Sequence, residues 1–113
     1  MRVLLDHCVP RLLGPLLEGH EVQTAAERGW DELRNGELLR AAAEDGFDAM
    51  LTVDAGIAHQ QDRDSLPLAV VLIRSRSNRI VDVRPLVPAI LNAVRGRPPK
   101  GFVEVDGRPQ RGR

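Results

Sequence analysis

The chain has 113 residues, 42% hydrophobic and 28% charged, which suits one globular core and leaves no room for a second domain of ordinary size. A single cysteine, Cys8, excludes an internal disulfide framework and a cysteine-rich zinc site, and with Asp6 interrupting the first apolar run and no long apolar stretch after it, neither export nor membrane insertion is expected, only a reducing cytoplasm. The net charge of zero hides a split, 6 Arg against 13 acids in residues 1–64 and 10 Lys plus Arg against 3 acids in residues 65–113, so one half can face a polyanion unless the halves attract each other.

Arg2 to Leu5 reads as a short strand stopped by Asp6. Pro10 then suits the first position of a helix in which Leu12, Leu13, Leu16 and Leu17 share a face, with Pro15 kinking or delaying it and Gly19 as its stop. Glu21 to Thr24 forms a second strand, followed by a helical turn from Ala25 to Arg28 and by Gly29. Asn35 is placed to cap a helix from Gly36 to Ala43 whose Leu38, Leu39 and Ala42 face one way, and Gly46 ends it. Ala49 to Val53 is continuously apolar, as in a strand buried on both faces, and again meets an acid, Asp54.

Leu68 to Ile73 is the strongest strand, rich in β-branched residues and ending at Arg74. After the polar run Ser75 to Arg79, a helix is expected from Pro85 to Val94, presenting Leu86, Ile90, Leu91 and Val94. Residues 1–95 would then make the domain. Residues 96–113 would make a basic tail rich in Gly, Pro and Arg, with a short edge strand at Phe102 to Val105 and a frayed end at Gln110 to Arg113. Short buried strands alternating with helices predict an α/β fold, a three-layer α/β/α sandwich around a small, mainly parallel sheet. Ligands in such sheets gather at the carboxyl ends of the strands, where strand order reverses.

Those ends carry the acids. Asp6 and Asp54 would project from one edge of the sheet, and two close carboxylates repel unless a proton or cation lies between them. Oxygen-only ligands select hard ions such as Mg²⁺ or Mn²⁺, and Glu37, in the first turn of its helix, could add a third oxygen. An ion held this way polarises phosphoryl oxygens and acidifies water, the chemistry of phosphodiester hydrolysis. Each acid also has a plain structural reading, as a turn former or a favourable charge at a helix start. Arg74, Arg76, Ser77 and Asn78 follow the strongest strand and suit phosphate oxygens, or else a solvated loop. His7, His20 and His59 lack metal-ligand spacing, Gln60 and Gln61 fit a substrate contact or a solvated helix face equally well, and Cys8 reads as a small buried hydrophobe. With Trp30, Phe47 and Phe102 as the only aromatics, a stacking platform for single-stranded nucleic acid is not expected.

The segments Val3 to Pro10, Gly19-His20-Glu21-Val22, Gly29-Trp30, Asn35 to Leu39, Leu51 to Asp54, His59 to Gln61 and Arg74 to Asn78 together resemble the small PIN-like domain family over about residues 2 to 94. That resemblance implies a PIN-like α/β/α fold related to the ribonuclease toxins of toxin and antitoxin modules. It implies Asp6, Glu37 and Asp54 as the acids that hold Mg²⁺ or Mn²⁺ for RNA cleavage, with an antitoxin protein as partner and a homodimer as a further possibility. The chain departs from the family pattern at Gly56 and Asn35, where acids are common in PIN-like proteins. A second expectation is therefore a catalytically silent module that keeps the fold and binds RNA or a protein. A third, a phosphoacceptor domain like a response-regulator receiver, has less behind it, because the only lysine is Lys100 and no acid neighbours Asp6.

Overall fold

A computed structural model describes residues 1–57, 66–98 and 100–107. Its five strands, β1 (Arg2–Leu5), β2 (Glu21–Thr24), β3 (Ala49–Thr52), β4 (Ala69–Arg74) and β5 (Gly101–Asp106), form one sheet in the order β2-β1-β3-β4-β5, with every neighbouring pair parallel. The helices that lie wholly among the described residues are α1 (Asn35–Glu44), α2 (Ile80–Val83) and α3 (Val87–Arg95). This is the small α/β sandwich that the alternation of elements predicts.

Period-two alternation builds the two core layers. Val3, Leu5, Leu51, Val71 and Ile73 pack on one face with Leu13, Leu17, Val83, Ile90 and Val94, whereas Leu4, Met50 and Val70 pack on the other with Leu38, Leu39, Ala42 and Phe47. Helix α1 thus covers one face; α2, α3 and the β1–β2 connection cover the other. The steps β2 to β3 and β4 to β5 run in the same direction across the sheet, but their helices lie on opposite faces. The two crossovers therefore have opposite hands. The β1 to β2 step, reversed in direction and on the α3 face, shares the hand of β2 to β3, which makes the β4 to β5 connection the exception to a rule kept by about 98% of such units.

Several elements differ from their expected form. Residues Arg11–Leu16 are a 3-10 helix rather than an α-helix; Pro15 inside it cannot donate a backbone hydrogen bond, so no regular helix propagates. Helix α1 begins at Asn35, with Arg34 in the cap position, in extended conformation and without a side-chain cap bond, so Asn35 does not cap it. The expected helix from Pro85 to Val94 is broken into α2, a 3-10 turn at Arg84–Leu86 and α3, with a proline in the first two positions of each of the last two pieces. Proline is tolerated there because first-turn amides lack helical partners. Strand β5 is longer than Phe102 to Val105 and lies in register against all of β4, so this part of the basic tail belongs to the sheet. His59, Gln60, Gln61 and Gln110 to Arg113 lie outside the described residues.

Candidate active site

Strand order reverses between β1 and β3: β1 leads to β2 on one side, and the chain returns past β1 to reach β3 on the other. Their carboxyl ends flank the crevice where open α/β sheets bind ligands. Asp6 follows β1 directly. Its amide donates to the Leu51 carbonyl of β3 at 3.0 Å, which pins it beside the neighbouring strand.

Thr52, the last residue of β3, joins the two acids. It is fully buried, at 0% exposure, and its hydroxyl donates to Asp6 Oδ2 at 2.8 Å while accepting the Asp54 amide at 3.1 Å. One buried hydroxyl therefore fixes both the β1 carboxylate and the turn that carries the β3 acid. The His7 amide donates to Asp6 Oδ1 at 2.8 Å, and the Gly56 amide donates to Asp54 Oδ1 at 2.9 Å. Cys8 Sγ lies 3.7 Å from Asp6 Oδ2 and 3.6 Å from Thr52 Oγ1. Burial, seconded by the nearby Asp6 charge, pushes the Cys8 thiol up against the opposing bonds from Val53 and Thr52, so it stays protonated at neutral pH and is no nucleophile. His7 turns away, its Nε2 donating to the Leu33 carbonyl at 3.2 Å.

The loop after β4 closes the site from the other side. Asn78 Nδ2 donates to the Cys8 carbonyl at 3.2 Å, tying that loop to the one after β1. Ser77 is held by its own segment, its hydroxyl donating to Asp82 at 2.5 Å and accepting the Arg79 amide at 3.0 Å. Arg74 Nε lies 2.8 Å from Glu104 Oε1, an ion pair without hydrogen-bond alignment. Arg76 is exposed and, among the described residues, makes no ion pair or hydrogen bond. A cavity of about 490 Å³ is lined by Cys8, Asp54, Arg74, Ser75, Ser77 and Asn78, whereas Asp6 lines a second cavity of about 930 Å³ on the β2 side.

The expected acids thus divide. Thr52 links the Asp6 carboxylate to the backbone amide of Asp54. Glu37 is exposed in the first turn of α1, and among the described residues no group of three or more His, Cys, Asp or Glu side chains converges as a metal cage. The side-chain donors carried by these two strand ends are carboxylate oxygens, and Mg²⁺ is commonly held by one or two carboxylates with water and substrate phosphate completing its shell. Asp6 and Asp54 fit such an ion in kind and in number. Sequence reasoning missed Thr52, whose signal is a lone hydroxyl in an apolar run two residues before an acid.

Comparisons with protein families, with curated proteins and with solved structures return no match for this chain. Among the described residues no helix is long and apolar enough to cross a membrane.

Proposed function

We propose that this protein is a ribonuclease of the PIN-like kind, dependent on Mg²⁺ or Mn²⁺ held by Asp6 and Asp54, with Glu37 available from α1. The observation that carries the reading is the Asp6–Thr52–Asp54 chain of hydrogen bonds at the point where strand order reverses. When bound, such an ion offsets phosphate charge and makes a neighbouring water more acidic. The protein's part is positional: Thr52 and the His7 amide fix the Asp6 carboxylate, and Arg76 offers an unpaired guanidinium to the phosphate. A water oxygen then bonds to phosphorus as the bond to the ester oxygen breaks, the water giving its proton to solvent and the leaving oxygen taking one from it. In this reading the chain is the toxin of a two-protein module in the cytoplasm, restrained by an antitoxin.

Cleavage of a labelled RNA in Mn²⁺ tests the assignment. Asp54→Asn is expected to lose at least about 100-fold in rate, in line with removal of a group that stabilises developing charge, with an unchanged circular dichroism spectrum. Full metal-dependent activity in that variant refutes it. One observation favours a second reading, the silent binding module: Asp54 Oδ1 is already engaged by the Gly56 amide. Isothermal titration of Mn²⁺ separates the two. Saturable binding lost in both Asp6→Asn and Asp54→Asn supports the nuclease, and no binding up to millimolar metal supports the silent module.

A further inference from the structure

The cavity of about 930 Å³ is used by the reading above only through Asp6 and the His7 amide that holds it. Its size lies within the range of small-molecule sites. It exists because the β1–β2 connection is a short 3-10 helix, which leaves β2 half-covered. The floor is aliphatic, with Leu5, Val9 and Val22. At one end stand two carboxylates, Asp6 and Glu27, and elsewhere in the wall stands His20, whose Nδ1 is buried without a hydrogen-bond partner among the described residues. A buried polar atom without a partner is costly and calls for one.

The lining selects the occupant. Carboxylates accept hydrogen bonds, and with Arg11 also in the lining the wall carries both signs of charge, so a neutral group that offers donors to the Asp6 and Glu27 end suits it. At the carboxyl end of β2 the outward amide of Thr24 already donates to Glu27 Oε1 at 2.8 Å, so an added strand would have to displace that bond. A flat heterocycle with donors at one edge and further ring nitrogens or carbonyls to satisfy His20 meets both conditions, with aliphatic side chains against its face. We propose that this cavity binds a nucleobase bearing an exocyclic amino group, the base next to the phosphate cleaved. Its place in the RNA strand rests on the ribonuclease reading; the binding of the base does not.

Cytidine and uridine test the proposal, because they differ at one edge of the ring: an exocyclic amino donor beside an N3 acceptor in cytidine, a carbonyl acceptor beside an N3–H donor in uridine. Amide and imidazole resonances of metal-free wild-type protein are followed as each nucleoside is added. Cytidine is expected to shift Gly14, Val22 and His20 saturably and to bind at least about tenfold tighter than uridine, the discrimination of one well-made hydrogen-bonding contact. Glu27→Gln keeps the bond to the Thr24 amide, since Gln serves in that position as Glu does, and is expected to narrow the preference at least threefold. Ala26→Trp, at an exposed rim position, is expected to fill the cavity and abolish the shifts. Equal affinity for the two nucleosides, shifts centred on Ser77 and Asn78, or no saturation overturns the proposal. Because neither metal nor cleavage enters, a failure here is distinct from a failure of the nuclease assignment.

Discussion

Thr52 shows how much one hydroxyl can organise. It is the only fully buried polar residue among those described, and its hydroxyl serves both the Asp6 carboxylate and the Asp54 amide. Thr52→Val preserves shape but leaves Asp6 Oδ2 without that donor and the Asp54 amide without its acceptor. The expected cost is about 1–3 kcal/mol in chemical denaturation, with Thr52→Ser recovering most of it. His20 yields a pH prediction. Burial first, then the chain's amino terminus, Arg95 and Arg97, depress its pKa below the usual 6.5. The unfolded chain therefore takes up a proton at a higher pH than the folded one, so stability falls as pH drops below about 6.5. His20→Gln is expected to flatten that fall in thermal melts between pH 7 and pH 5. At this scale the acids were legible because each ends an apolar run. Thr52 was not, because a β-branched residue inside a strand satisfies the pattern whether or not its hydroxyl has a task.

Among the elements, the strands and α1 were read almost to the residue, and the two proline-containing helical segments were not. Arg2–Leu5 and Glu21–Thr24 match their expected limits, since an apolar run bounded by polar residues defines a buried strand directly. Helical periodicity was present around Leu13 and Leu86, but Pro15, Pro85 and Pro88 decided which backbone hydrogen bonds could form. The turn after β2 carries a signal that was there to be read: Thr24 and Glu27 form a reciprocal capping box, the Glu27 amide donating to Thr24 Oγ1 at 3.0 Å while Glu27 Oε1 accepts the Thr24 amide. Thr24→Ala is expected to destabilise by about 1 kcal/mol, measurable by urea unfolding. At the far edge, a Cβ on Gly107 would collide with the Leu86 side chain, while the Gly107 amide donates to the Arg74 carbonyl at 2.7 Å. Gly107→Ala is expected to cost about 1–3 kcal/mol by overpacking, with the loss of amide protection concentrated in β5.

At the scale of the whole molecule, the ion pairs of Arg2, Arg28, Arg74 and Arg97 lie mostly within one half or the other. Arg2 pairs with Glu21 and Asp45, Arg28 with Asp45, and Arg74 with Glu104, each within its own half; of these ion pairs and Arg97–Asp48, only the last joins the halves. Arg76, Arg79 and Arg84 are exposed and without ion pairs among the described residues. If all three meet phosphates, replacing them together by Ala should flatten the dependence of log K on log salt for single-stranded RNA by about 2, at roughly 0.7 for each contact. An unchanged slope places the strand elsewhere. The fold class was legible because alternating strands and helices permit few topologies. The hand of the final crossover was not, because apolar faces state that a helix packs on the sheet and not which side it takes.

That last crossover bears on how the chain is made. During synthesis β4, the most apolar strand, emerges well before β5, and until α2 and α3 have swung over the less usual side its outer edge has no neighbour. A nascent chain stalled between them exposes an adhesive ribbon of Val70, Val71, Leu72 and Ile73 to other polypeptides. Holdase chaperones on the ribosome should therefore meet this protein late in translation, and slow codons just after β4 should lower its soluble yield more than slow codons anywhere upstream.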